Sequence, residues 1–191
     1  MEGQNRIRDR CETQNNPRIW EEVGVVDQLL IYPLKSSKAI PLKSADATST
    51  GLREGNLADR SFMTINEKNQ FITGREAKLL VTLKTKFVNN TLTVTALDGT
   101  SASVNVIELC RGNPEITRFK IRGDDVQGID CGKEMSDFIS RVVYNNEKKL
   151  RLVYTGIDEF QRAKRNYGFF DFPMFQENDT ISSRQVASRN C

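Results

Sequence analysis

Histidine is missing from this chain, which contains none among its 191 residues. Catalysis by Ser-His-Asp or Cys-His groups, H-E-x-x-H zinc sites and imidazole metal ligation all require a histidine side chain. The sequence therefore excludes these classes of active site and metal site.

Cysteine is sparse, and its four residues are Cys11, Cys110, Cys131 and Cys191. They lie far apart without a C-x-x-C pair, which disfavours a disulfide framework and a zinc knuckle and favours a reducing compartment. We predict that Cys110 and Cys131 are small buried hydrophobic residues rather than metal ligands.

Neither sign of charge dominates, since 28 Lys and Arg oppose 25 Asp and Glu, for a formal net charge of +3. Nucleic acid binding is therefore not expected, because it needs a concentrated basic face. A single-stranded nucleic acid binder remains an alternative, since residues 160–170 mix cations with aromatic side chains. No apolar run approaches the ~20 residues that span a bilayer, and residues 1–20 resemble neither a signal peptide nor a membrane anchor.

Short strand-like segments are what the sequence contains instead. Apolar side chains alternate after Val23, and the turn formers Asn89-Asn90 and Asp98-Gly99 separate later segments. The predicted strands there cover residues 61–65, 79–87, 91–97 and 101–107. This pattern predicts an antiparallel meander, and closure into a barrel would remove its exposed edges.

The hydrophobic period changes at Gly132. Apolar residues then recur at spacings of three and four, namely Met135, Phe138, Ile139, Val142 and Val143. This spacing predicts a helix of about three turns over residues 132–145, with Asp130 as its N-terminal cap. Residues 149–154 are predicted to form another strand. The fold class is therefore mainly β with one substantial helix, a β-barrel of the α+β class.

Three segments place cations or hydroxyls at strand ends: I-Y-P-L-K-S, D-R-S-F-M after Gly51-Leu52, and F-I-T-G-R-E. Lys35 and Ser36 offer an ammonium and a hydroxyl, and Arg60 offers a planar fork suited to phosphate. These donors predict a site for a small anionic ligand. In the competing interpretation, which residue types alone favour, Lys35 is solvated and Arg60 pairs with Asp59 or another carboxylate.

The order Y-P-x-K-S, G-L, D-R-x-F-M and F-I-T-x-R-E resembles the N-terminal β-barrel domain of the MOSC family. The resemblance continues through Asp130-Cys131-Gly132 and through L-R-L-V at residues 150–153. It covers about residues 24–155 and is greatest toward the mitochondrial amidoxime-reducing components. Ser37 departs from the family's usual Cys, and Ala77-Lys78 stand where a proline is expected.

The resemblance implies a molybdenum cofactor, whose pterin dithiolene bears a phosphate, with Lys35, Ser36 and Arg60 at cofactor-contacting positions. It also implies an oxidoreductase that reduces N-hydroxylated substrates with electrons from a cytochrome b5 type partner. The implied location is the mitochondrial outer membrane, and otherwise a cytoplasmic location is expected. No catalytic residue and no metal ligand is predicted within the chain.

The resemblance also divides the chain into a flexible extension (1–22), a MOSC N-terminal β-barrel domain (23–155) and a partly disordered remainder (156–191). We expect that remainder to be a linker and the start of a C-terminal MOSC domain, truncated before the cysteine that ligates molybdenum. The chain by itself is then expected to be inactive. The alternative is a non-catalytic truncated isoform or a barrel binding module without molybdenum.

Overall fold

Strands dominate the described part of the chain. The computed structural model describes residues 20–48, 51–111, 114, 116–156, 179–182 and 186–190. Its strands are β1 (Trp20–Val25), β2 (Leu29–Ile31), β3 (Ile40–Leu42), β4 (Ser44–Thr48), β5 (Gly51–Glu54), β6 (Leu57–Ala58), β7 (Phe62–Asn66), β8 (Lys84–Val88), β9 (Thr91–Thr95), β10 (Ser101–Asn105), β11 (Ile116–Ile121), β12 (Asp124–Asp130), β13 (Leu150–Tyr154), β14 (Asp179–Ser182) and β15 (Val186–Asn190). The helical elements are a 3₁₀ turn (Lys78–Thr82), α1 (Val106–Arg111) and α2 (Lys133–Tyr144). The predicted mainly β fold with one substantial helix is confirmed.

The central sheet is antiparallel, with the strand order β11, β12, β13, β7. Both of its faces are covered near β7. Phe62 and Leu152 lie in the main core with α2, whereas Met63, Ile65 and Val153 pack against other buried residues in a second cluster. Burial on both faces explains why β7 carries apolar residues without strict alternation.

The predicted meander is present as the antiparallel sheet β8, β9, β10. Leu92 and Val94 of β9 are fully buried, while the threonines that alternate with them are half-buried. Asn89 and Asn90 form the turn from β8 to β9 with φ angles of 50° and 60°. Two consecutive positive φ angles suit the right-handed twist of a tight hairpin, which explains the asparagines.

The predicted helix is confirmed as α2, whose buried residues include Met135, Phe138, Ile139 and Val143. The predicted cap is wrong. Asp130 is the last residue of β12, and its Oδ1 accepts a hydrogen bond from the Gly132 N–H at 2.9 Å. Gly132 turns the chain with a φ of 92°, so the helix begins only at Lys133 and the Asp130 carboxylate does not reach its first turn.

Two predicted strands are partly helical in the structure. Residues 79–82 belong to the 3₁₀ turn. Leu80 and Leu83 are both fully buried, and because a 3₁₀ helix has three residues per turn, their spacing of three puts both side chains on the same side. The strand predicted over residues 101–107 ends at Asn105. Its Oδ1 accepts the N–H groups of Ile107 and Glu108 at 3.0 and 3.1 Å, which starts α1 instead.

The two ends of the chain fall mostly outside the described residues, including residues 1–19 and most of 157–191. Within the described part, β1 pairs with β15 and β4 pairs with β14, both antiparallel. No helix in the described ranges is long and apolar enough to cross a membrane.

Thr64 of β7 provides a stability prediction. Its hydroxyl is buried, and within the described residues it has no hydrogen-bond partner. We expect Thr64→Val to raise the free energy of unfolding by about 1 kcal/mol, since a buried unpaired hydroxyl loses its hydration without compensation. Urea unfolding measures this change. The control is Thr93→Val, whose hydroxyl pairs with that of Ser103 at 2.8 Å, and it should give no gain. A destabilised Thr64→Val variant would show that the hydroxyl is satisfied.

Candidate phosphate-binding site

Two of the three predicted segments lie side by side. The Lys35 N–H donates to the Phe62 carbonyl at 2.9 Å, and the Phe62 N–H donates to the Pro33 carbonyl at 2.9 Å. These bonds form a parallel bridge between Leu34 and Phe62, whose side chains are both fully buried. The K-S and D-R segments are therefore fixed to each other through the core.

Arg60 contacts both Tyr32 and Asp59. Its N–H donates to the Tyr32 carbonyl at 2.8 Å, and its Nη1 donates to Asp59 Oδ2 at 2.6 Å. The guanidinium also lies 5.8 Å from the centroid of the Tyr32 ring. The pairing of Arg60 with Asp59, one of the two interpretations of the sequence, is thus present. The Arg60 side chain remains 53% exposed and accessible to a ligand.

Lys35 lies against an aromatic ring. Its ammonium is 4.1 Å from the centroid of Phe71, which belongs to the third segment. At this distance the cation is attracted by the electron-rich face of the ring. Lys35 is therefore half-buried and oriented, and the interpretation that treated it as a merely solvated lysine does not describe its contact with Phe71.

Ser36 contacts the loop after Phe71. The Gly74 N–H donates to Ser36 Oγ at 3.1 Å, and a Cβ on Gly74 would lie 3.1 Å from the Ser36 Cβ. The Glu76 carboxylate orders the same loop by accepting the N–H and hydroxyl of Thr73, each at 2.9 Å. These hydrogen bonds hold the pKa of Glu76 below its ordinary value, and the one from the Thr73 backbone has the larger effect. The loop thereby presents Gly74 to Ser36.

Ser36 and Arg60 both have a left-handed backbone, with φ angles of 71° and 56°. Most other described non-glycine residues with positive φ are asparagines, which tolerate this conformation well. For serine and arginine it costs about 1 kcal/mol or more. Strain of this kind clusters at functional sites, so its presence at two predicted ligand-binding residues favours a binding role.

The structure thus joins the first two segments by backbone hydrogen bonds, and the Lys35 and Ser36 side chains join the third segment to the first. Convergence of the Lys35 and Arg60 side chains on one cleft stays a prediction. The sequence predicts the pairing of Arg60 with Asp59 as one of two interpretations, but it does not predict the contacts made by Phe71 and Gly74. Nothing in the sequence pairs Phe71 with Lys35 or Gly74 with Ser36, because these contacts link distant parts of the chain.

The cysteines differ in their surroundings. Cys131 is buried, as predicted. Burial is the main cause that raises the pKa of its thiol, and the nearby Asp130 and Cys110 raise it further. The prediction for Cys110 is wrong, because this residue is exposed on α1. Across the described ranges, no group of three or more Cys, Asp and Glu residues has an arrangement that could hold a metal ion.

The fold and these contacts define a barrel-type domain with an ammonium, a hydroxyl and a guanidinium on adjoining segments. Residues 23–146 match the family described as the MOSC N-terminal beta barrel domain. This chain therefore belongs to the MOSC family.

The chain is similar to mitochondrial amidoxime-reducing components. It is 30% identical over 172 residues to component 1 of Homo sapiens, a match covering 86% of this chain and 47% of that protein. It is 30% identical over 138 residues to component 1 of Xenopus laevis, covering 72% of this chain and 39% of that protein. It is 35% identical over 135 residues to component 2 of Macaca fascicularis, covering 65% of this chain and 38% of that protein. The chain therefore spans less than half the length of these relatives.

Proposed function

We propose that this chain supplies the wall that binds the phosphate and pterin of the cofactor in a molybdenum-dependent oxidoreductase acting on N-hydroxylated substrates. Its membership of the MOSC family and its relatives' names, which specify amidoxime reduction, support the proposal. The observation that supports it most is the bridge between Leu34 and Phe62, because this bridge brings the segment that contains Lys35 and Ser36 next to the segment that contains Arg60.

The donor set fits a phosphate group. An ammonium, a hydroxyl and a guanidinium are the donors that proteins use for phosphate, and the guanidinium can bind two oxygens at once. Ser36 Oγ accepts the Gly74 N–H, so its own hydrogen can point toward a ligand oxygen. Lys35, Ser36 and Arg60 would hold the phosphate end of the cofactor, which when bound supplies the redox-active metal.

The proposed site is partly open to water. With Arg60 half exposed, each charged contact contributes about 1 kcal/mol or less, and dissolved salt screens it further. Two or three such contacts, about 2–3 kcal/mol in all, give weak phosphate binding, with a dissociation constant on the order of 10 mM or higher. The role of these residues is therefore orientation of a larger ligand that other contacts also hold.

We also propose a cytochrome b5 type electron donor and a mitochondrial location for the protein. The relatives are named mitochondrial, which supports the location. The family resemblance supports the donor. Both proposals rest on similarity to whole proteins more than twice as long as the matched part.

Titration of the full chain with inorganic phosphate, followed by amide NMR shifts at low salt, tests the site. We expect Lys35→Ala and Arg60→Ala each to weaken binding about fivefold, equivalent to about 1 kcal/mol, and the double variant to abolish it. The control is Lys133→Ala, which removes the same charge from an exposed pair with Asp137 on α2. Unchanged binding in both single variants, or equal weakening by Lys133→Ala, would refute the proposed site.

A further inference from the structure

We infer that Asp59 is a positioning residue that holds the Arg60 guanidinium in the orientation needed to bind phosphate. This inference rests on the proposed function. It adds an acidic residue to a site otherwise described by its cations, and the sequence had suggested Asp59 only as a charge that neutralises Arg60.

The Asp59 carboxylate ties separate parts of the site together. Its Oδ1 accepts the Tyr32 N–H at 2.8 Å, and its Oδ2 accepts Arg60 Nη1 at 2.6 Å. Its own N–H donates to the Leu52 carbonyl at 2.9 Å. The Asp59 side chain is only 14% exposed, whereas that of Arg60 is 53% exposed. A fixed, mostly buried carboxylate therefore limits the rotamers of the more exposed Arg60 side chain.

Holding Arg60 in this way is compatible with binding a phosphate. A guanidinium has five N–H donors in a rigid plane, so one can stay on Asp59 while others meet two phosphate oxygens. The Tyr32 ring, whose centroid is 5.8 Å from the guanidinium carbon, restricts the movement of the guanidinium on another side. Together these two groups reduce the conformational freedom that Arg60 must lose when a ligand binds.

The sign of the effect separates positioning from simple electrostatics. Asp59 is negative and lies next to the proposed phosphate, so by Coulomb's law alone its neutralisation should tighten phosphate binding. If Asp59 orients Arg60, its neutralisation should weaken binding instead. Asp59→Asn suits the test because its amide oxygen can still accept the Tyr32 N–H, which preserves the backbone contact.

The experiment titrates inorganic phosphate into the full chain and follows amide NMR shifts at one low salt concentration. We expect Asp59→Asn to raise the dissociation constant about three- to tenfold, and to cause no weakening when Arg60→Ala is already present. The matched control is Asp137→Asn, which neutralises another ion-paired carboxylate, on α2. It should leave the dissociation constant unchanged.

A second measurement does not depend on phosphate. The heteronuclear NOE of the Arg60 Nε–H should fall in Asp59→Asn, while the Tyr32 amide stays protected from hydrogen exchange. Tighter phosphate binding, or an Arg60 signal as ordered as in the wild type, would overturn the inference. If the wild-type chain does not bind phosphate, the proposed function fails, and the Arg60 signal alone decides whether Asp59 positions the guanidinium.

Discussion

Phe62→Ala is expected to lower the free energy of unfolding by about 3–5 kcal/mol, as for other aromatic residues deleted from a core. Phe62 is fully buried in the main core, and its ring lies 5.0 Å from that of Tyr154. Neighbours on β13 and α2 can fill only part of the cavity left behind. Denaturant unfolding followed by circular dichroism measures the change.

Phe62 also connects the core to the proposed site, because its backbone bonds to Pro33 and Lys35. Phe62→Leu serves as the control, since leucine keeps most of the apolar volume and should cost only about 1–2 kcal/mol. If Phe62→Ala unfolds at the same denaturant concentration as Phe62→Leu, the ring does not fill the core as described.

The sequence predicts best those elements that bury one face. Thr91–Thr95 alternates because β9 has one buried and one half-exposed side, and α2 shows an apolar stripe because its opposite side faces water. In both elements the hydrophobic period directly reports the geometry. Element type and approximate position therefore follow from the sequence.

Elements whose conformation depends on distant contacts are predicted less well. The 3₁₀ turn at Lys78–Thr82 is apolar enough to be taken for a strand, and only the packing of Leu80 and Leu83 into the core gives it its shape. The β11–β12 hairpin was not predicted, although the alternation in Ile116–Ile121 and the Arg122-Gly123 turn indicate it.

The candidate site shows the same division. Lys35, Ser36 and Arg60 could be selected because few side chains suit a phosphate and because they stand in motifs that resemble those of the MOSC family. Their support could not be predicted, since Asp59 contacts Tyr32 across 27 positions and Gly74 contacts Ser36 across 38. The left-handed backbone of Ser36 and Arg60 could not be predicted from the sequence either, because neither residue type favours this conformation.

Gly128 of β12 is a second position, after Phe62, where a substitution should destabilise the fold, because β12 and β13 approach each other closely there. A Cβ there would lie 2.9 Å from the Tyr154 carbonyl oxygen and 3.2 Å from the Phe119 ring. The oxygen belongs to the backbone of β13 and cannot rotate away, so β12 and β13 would have to separate. The next residue, Thr155, donates its N–H to the Ser61 carbonyl at 2.7 Å, directly beside Arg60.

Gly128→Ala is therefore expected to lower the free energy of unfolding by about 1–3 kcal/mol, the usual cost of overpacking. The smaller entropy of the unfolded alanine chain opposes this by only about 0.4–1 kcal/mol. Denaturant unfolding gives the sum, and the amide NMR signals of Ser61 and Thr155 should shift. Gly24→Ala is the control, because within the described residues no atom beyond its chain neighbours lies within 4 Å of its Cβ position and its φ is not positive, so it should keep or slightly raise stability. Equal stability of the two variants would show that β12 and β13 can separate at Gly128 without cost.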